Sequence, residues 1–113
     1  MSTVHLIGGE KGGVGKSVVA RLLTQLFIDR GMRFAALDAD LSHGALVRYY
    51  AEFARPVDLE RLESADQILD RALGADREVV VDLPAQSYRA LQRWNEASDA
   101  LSYARDLDVR VVV

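Results

Sequence analysis

Lys11-Gly12-Gly13-Val14-Gly15-Lys16-Ser17 is the stretch that decides the fold of this 113-residue chain, because it joins a strand-like run to a helix-like run. Its glycines let successive backbone N–H groups turn toward one anion, and a helix that begins at Ser17 adds its positive end. Lys16 supplies a point charge for the β- and γ-phosphates, and the Ser17 hydroxyl is placed to bind Mg²⁺. The stretch therefore predicts a nucleoside triphosphate site, whose phosphate-binding residues are Gly12, Gly13, Val14, Gly15, Lys16, Ser17 and Val18.

The spacing differs from the usual P-loop pattern, which requires a glycine where this chain has Glu10. The stretch instead matches K-G-G-x-G-K-[ST], in which Lys11 is an additional cation. This pattern resembles the deviant Walker A ATPases, the ParA and MinD family. The resemblance covers the whole chain but only the N-terminal part of the longer family domain. We therefore expect residues 1–113 to form a single, truncated nucleotide-binding α/β domain.

The composition is that of one globular unit, with 50% hydrophobic residues and a formal net charge of -3. A chain of this size can bury roughly two-thirds of its unfolded surface, so one core is feasible. The charge argues against a chain-wide nucleic-acid footprint, so any DNA contact would be local. The absence of cysteine excludes disulfides and thiolate metal sites. The sequence shows no transmembrane run and no signal-peptide pattern, so we expect a cytoplasmic protein.

Hydrophobic periodicity predicts strands that alternate with helices. The predicted strands are 4–7, 33–37, 78–82 and 108–113, and the predicted helices are 17–30, 45–50, one after a capping box at 64–67, and 88–104. This alternation is typical of an α/β fold, a parallel sheet flanked by helices with its ligand at the carboxyl edge. The family resemblance implies a P-loop NTPase sheet with the strands in the order second, third, first, fourth. The pattern also predicts a helix stop at Gly31, a break at Arg55-Pro56, and one broad buried face on helix 17–30, formed by Val18, Val19, Leu22, Leu23, Leu26 and Phe27.

Three aspartates stand at predicted strand ends: Asp38, Asp40 and Asp82. Phosphoryl transfer requires a protein mainly to position groups and neutralise charge, so these carboxylates matter as much as the loop. The resemblance implies that Asp38 and Asp82 hold Mg²⁺ through water, beside Ser17, and that Asp40 orients the attacking water as the catalytic acid. An aspartate at a strand end is also a common turn former or helix N-cap, and that alternative stays open for each.

The resemblance also implies roles for Lys11 and for the loop after Asp82. In the family this lysine reaches across a dimer interface to the phosphates of the other subunit, so ATP forms the dimer. Residues 82–86 correspond to switch II, where a γ-phosphate contact orders the loop. The family has proline and glutamine where this chain has Leu41 and Ser42, and often a glycine near Gln86. These departures look more like plasmid-borne partition or conjugal-transfer relatives, and they allow binding to persist while hydrolysis weakens.

Two interpretations are open for the predicted helix after switch II. Tyr88, Arg89, Arg93 and Trp94 could form a partner surface, because aromatic and arginine side chains are enriched in hot spots. Alternatively, Trp94 packs beneath an amphipathic helix whose arginines are solvated, and we favour this second interpretation.

The leading functional hypothesis is a Mg²⁺-dependent ATPase that acts as a nucleotide-gated dimer switch. It would position or segregate a cargo such as plasmid DNA, a conjugation complex or a cell-division complex, together with a protein cargo or activator. One alternative is a non-hydrolysing nucleotide-binding adaptor, and another is an ATP-dependent biosynthetic ligase of the cobyrinic acid diamide synthase type. ATP rather than GTP is implied by the resemblance alone.

Overall fold

The computed structural model places five parallel strands in one sheet and describes residues 2–8, 14–40, 45–72, 77–84, 87–100, 102, 104 and 109–112. The strands are β1 (Ser2–Ile7), β2 (Phe34–Asp38), β3 (Ala54–Pro56), β4 (Glu78–Asp82) and β5 (Val109–Val112). The helices are α1 (Val14–Asp29), α2 (Ala45–Tyr49), α3 (Leu62–Ala65), α4 (Gln67–Ala72) and α5 (Tyr88–Ser98).

The sheet runs in the order β3-β2-β4-β1-β5. The four predicted strands keep their predicted order, so the fold class is confirmed as a parallel α/β sheet of the P-loop type. The strand β3 is an addition, because the sequence indicated only a break at Arg55-Pro56. Proline is tolerated there since β3 pairs with β2 alone and lies at the sheet edge.

The central strand β4 is buried on both sides, as its β-branched run predicts. Val79 and Val81 face the core beneath α3, α4 and α5, while Val80 faces the core shared with α1 and α2. All three valines are 0% exposed. The sheet therefore separates two hydrophobic layers, and its carboxyl edge is held between them.

The helix α1 ends in a Schellman motif at the predicted glycine. The Gly31 N–H donates to the Ile28 carbonyl over 3.1 Å, and the Met32 N–H donates to the Phe27 carbonyl over 3.0 Å. Gly31 has φ +63°, a left-handed conformation that suits glycine. The stop therefore releases the chain directly into β2.

The expectation of one broad buried face on α1 is wrong for three side chains. Val19, Leu22 and Leu26 are exposed to 49%, 65% and 40%. The face that meets the sheet centres on Ala20, Thr24 and Phe27, and the Thr24 hydroxyl donates to the Ala20 carbonyl over 2.9 Å. The apolar pattern extends around the helix, whereas the sheet can cover only one side of it.

The predicted capping box at Ser64 is also wrong. Ser64 lies inside α3, and its Oγ accepts the Asp58 N–H over 2.8 Å, so it secures the turn before α3. The helix α4 begins separately at Gln67. The sequence pattern predicts that this helix stops at Gly74, which lies outside the described residues. The predicted helix 88–104 is interrupted at Asp99, which has φ 51°.

Two substitutions at left-handed positions should change stability in opposite directions. We expect Gly31→Ala to lower the free energy of unfolding by about 1 kcal/mol, because a Cβ disfavours positive φ although nothing lies within 4 Å of it. Asp99→Gly should raise the free energy of unfolding by a few tenths to about 1 kcal/mol, because glycine removes the Cβ that disfavours positive φ. Urea unfolding measures both, and equal effects of the same sign would contradict the backbone explanation.

Candidate functional site

The carboxyl ends of β1, β4 and β2 bring two of the predicted acids together. In the parallel register Ile7 lies beside Asp82, and Asp82 lies beside Asp38. The chain leaves β1 at Gly8, and the helix α1 begins at Val14, so residues 9–13 connect the strand to α1. The site is therefore a sheet edge at which two neighbouring carboxylates lie beside the end of β1.

Not all of the predicted phosphate-binding stretch can be placed. Lys11, Gly12 and Gly13 lie outside the described residues, as do Leu41, Ser42 and Gln86. Residues 14–18 form the first turn of α1, which begins earlier than the predicted start at Ser17. Their backbone is described and their side chains are not, so the structure gives no side-chain position for Lys16 or Ser17.

Asp38 is buried and bonded through both of its carboxylate oxygens. Its Oδ1 accepts the Asp40 N–H over 3.0 Å, and its Oδ2 accepts the Val47 N–H over 3.1 Å. The residue is 1% exposed. Asp38 therefore acts as a local organiser as well as a candidate ligand, because it links the end of β2 to the helix α2.

Asp82 is 0% exposed, and backbone bonds fix its position. Its carbonyl accepts the Ala39 N–H over 2.9 Å, and the next residue, Leu83, donates its N–H to the Ile7 carbonyl over 2.9 Å. The ladder therefore continues past the ends of the strands and sets the spacing of the acids. Asp40 follows Ala39 at this edge and is 7% exposed.

The donor set fits a Mg²⁺ ion in the chemistry that it offers. Asp38 and Asp82 are hard oxygen ligands on adjacent strands. Within the described ranges no group of three or more histidine, cysteine, aspartate or glutamate side chains could hold a metal by itself. Mg²⁺ usually binds through one or two carboxylates, waters and substrate phosphates, so two acids together with the predicted phosphate-binding stretch would be sufficient.

Close contact between two segments of the site explains why a glycine follows β1. A Cβ on Gly8 would lie 2.8 Å from Leu83 Cδ1 and 3.1 Å from Leu83 Cβ. Leu83 is 2% exposed and directly follows Asp82. Gly8, which precedes the predicted phosphate-binding stretch, is therefore packed against Leu83, in the predicted switch II segment. Sequence reasoning missed this contact, because residues so far apart leave no local pattern.

The helix α5 after switch II is held in place by its own side chains. Trp94 is 5% exposed, and its Nε1–H donates to Asp66 Oδ1 over 2.8 Å. Arg93 forms an ion pair with Glu60. The favoured interpretation of Trp94 as a packed residue is therefore confirmed.

The match to known families falls on this sheet edge and the elements around it. Residues 6–105 match the family model described as the CobQ/CobB/MinD/ParA nucleotide binding domain. The chain belongs to this family. The resemblance stated from the Lys11–Ser17 stretch is thereby confirmed, and nucleotide binding is the activity of the family domain.

Three relatives of the chain show how much of a longer protein it covers. It is 23% identical to the protein TraL of Escherichia coli over all of this chain and 49% of TraL. It is 28% identical to the protein MobD of Acidithiobacillus ferrooxidans, over 83% of this chain and 43% of MobD. It is 34% identical to an iron-sulfur cluster carrier protein of Mycobacterium leprae (strain TN), over 55% of this chain and 16% of that protein. The chain therefore spans about half the length of TraL, or slightly less of MobD.

No solved structure matches the chain. Among the helices in the described ranges, none has the length and apolar character needed to span a membrane.

A glycine-to-alanine change should reveal the packing between the loop and switch II. We expect Gly8→Ala to lower the free energy of unfolding by about 1–3 kcal/mol, because its Cβ overlaps Leu83. Leu83→Ala alone should also destabilise, since it removes a buried side chain. The double variant should lose less than the sum of the two, because the smaller side chain makes room. Strictly additive losses in urea unfolding would show that the two residues are not in contact.

Proposed function

We propose that residues 1–113 form one nucleotide-binding unit of a Mg²⁺-dependent ATPase that works as a nucleotide-gated dimer switch. The observation that carries this proposal is the register that sets Asp38 beside Asp82 at the carboxyl edge, next to the β1-to-α1 turn. Ligands of parallel α/β sheets bind at this edge. Membership of the nucleotide-binding family supports the binding of a nucleotide, and the two adjacent carboxylates support the binding of a divalent cation.

The predicted residues divide the work of phosphoryl transfer among themselves. Backbone N–H groups of residues 12–18 would surround the phosphates, and Lys16 would neutralise the β- and γ-phosphate charge. Bound Mg²⁺ supplies charge neutralisation at the phosphates, and Ser17, Asp38 and Asp82 are the residues that would hold it. Nucleotide binding would therefore depend on the loop and on the two buried acids together.

Hydrolysis would require two further groups. Asp40 would orient the attacking water, and its position is set by the bond between its N–H and Asp38. Lys11 would act on the nucleotide of the other subunit, a contribution of about 10³–10⁵ in rate for cations that act in trans. Because Lys11 would reach across the interface, assembly of the dimer and turnover would depend on the same residue.

The second candidate is a non-hydrolysing adaptor, and Leu41 and Ser42 after the catalytic acid favour it. Such a chain would bind nucleotide through the same loop and report the bound state by a protein contact.

Because the match to TraL covers this whole chain, we propose that the two proteins share the nucleotide switch. Its cargo would be a conjugation or partition complex, as the departures at Leu41, Ser42 and Gln86 suggest.

Substitution of the two lysines should separate binding from dimer formation. We expect Lys16→Ala to weaken ATP binding by about 10- to 150-fold, the range for a lost hydrogen bond to a charged group. Lys11→Ala should bind ATP but fail to dimerise with it. Fluorescence titration and light scattering measure the two effects, with Arg30→Ala on the exposed end of α1 as the matched control.

Measuring ATP turnover by the same variants distinguishes the candidates. ATP-dependent dimers with turnover that Lys11→Ala abolishes support the switch, whereas tight binding without turnover supports the adaptor. A folded wild-type chain that binds no nucleotide would contradict both.

A further inference from the structure

Exposed apolar side chains are concentrated on one side of the sheet. Seven large apolar residues are exposed in the described part of the chain, and six of them lie on α1, on α2 or in the turns that follow these helices. Leu62, on the opposite layer, is the exception. The six are Val19, Leu22, Leu26, Met32, Tyr49 and Phe53. A clustered apolar surface of this kind marks an interaction site.

The helix α1 is apolar on its outer side as well as on its inner side. Val19, Leu22 and Leu26, here called the outer stripe, follow one another at spacings of three and four residues and point away from the buried Ala20 and Phe27. A helix that is hydrophobic all round is normally buried. The outer stripe has the spacing found at the seams between packed helices, so the element that would cover it is a helix.

A preformed groove continues the outer stripe toward α2. This α1–α2 groove has a volume of about 360 Å³ and is lined by Arg21, Leu22, Gln25, Tyr49 and Tyr50. The Tyr50 hydroxyl donates to Gln25 Oε1 over 3.0 Å, and the Arg21 guanidinium lies 4.6 Å from the centre of the Tyr49 ring. These contacts join the two helices, so the groove does not have to be ordered when a partner binds.

Charge selects among the possible occupants. The helices α1 and α2 and the turns after them carry four described arginines, Arg21, Arg30, Arg33 and Arg48, against two carboxylates, Asp29 and Glu52. The opposite layer, residues 58–72 and 87–99, carries seven carboxylates against four arginines. A second copy seated by the same face would therefore oppose like charges. The groove favours an acidic occupant.

Arg21 gives this preference a specific contact. Its Nε is buried and has no acceptor at hydrogen-bond distance among the described residues. The Arg21 side chain as a whole is half-buried and lines the groove, so an arriving carboxylate would form a charge-assisted bond with its guanidinium. Leu22 lies beside it in the same groove, which places an apolar contact next to the charged one.

We propose that the outer stripe and the α1–α2 groove together form the docking surface for an acidic amphipathic helix of a partner protein. Leucine-like side chains of that helix would cover Leu22 and Leu26, and a carboxylate on its flank would meet Arg21. This surface lies on the outside of α1, away from Asp38 and Asp82. The inference therefore goes beyond nucleotide binding and does not depend on it.

The test uses the full chain without nucleotide and a labelled helical peptide with leucines at i, i+3 and i+7 flanked by glutamates. We expect saturable binding by fluorescence anisotropy, weakened about tenfold or more in Leu22→Ser, which loses a buried leucine contact. Arg21→Ala should weaken binding of the acidic peptide and leave binding of a lysine-flanked version of it unchanged. Leu62→Ser is the matched control, since it removes an equally apolar exposed side chain from the opposite layer.

Several outcomes would overturn the proposal. These are no binding of the acidic peptide, equal binding of the acidic and lysine-flanked peptides, and wild-type affinity in Leu22→Ser. Stronger binding to phosphatidylglycerol vesicles that Leu22→Ser abolishes would assign the surface to a membrane, and self-association lost in Leu22→Ser would assign it to a second copy. ATP titration of the same variants is independent of these results, so failure here and failure of nucleotide binding are distinguishable.

Discussion

The parallel register of β1, β4 and β2 is the constraint on which the rest of the structure depends. Because the strands run in the same direction and end together, Asp38 and Asp82 lie side by side at one edge. The ladder extends beyond the strands through the Ala39 N–H and the Leu83 N–H, so neither acid can shift independently. The fold thus buries two neighbouring carboxylates at one end of the sheet, where the proposed cation and phosphates would offset their charge.

The same edge connects the site to the surface of the molecule. Asp38 bonds to the Val47 N–H at the start of α2, and α2 with α1 lines the outer groove. Leu83 packs against Gly8, so the segments that follow β4 and β1 meet at this contact. On the opposite layer Trp94 and Asp66 fix α5. Asp38 therefore links the carboxyl edge of the sheet to α2, while the bond between Trp94 and Asp66 anchors α5.

Local patterns in the sequence predicted a strand that is buried on both faces and a helix stop that favours one residue type. The β-branched run 79–81 predicted a buried strand, and Gly31 predicted a helix stop, because both features act within a few residues. Leu22 and Leu26 were misassigned because periodicity records which residues are apolar but not what covers them. The strand β3 was missed because proline is permitted at a sheet edge, and Ser64 was misassigned because its Oγ accepts a bond from Asp58 instead of starting α4. The contact of Gly8 with Leu83 required the fold itself.

The most direct test of the account is to locate a divalent cation on the folded chain. Mn²⁺ with ATP replaces Mg²⁺ and broadens the NMR signals of nearby amides. We expect the strongest broadening at Gly8, Ala39 and Leu83, which adjoin β1, Asp38 and Asp82, while Gly31 and Asp99 remain sharp. Broadening at Gly31 or Asp99 but not at the carboxyl edge would contradict the assignment of the site. A folded chain whose spectrum is unchanged by Mn²⁺ and ATP would contradict the proposal that this unit binds nucleotide.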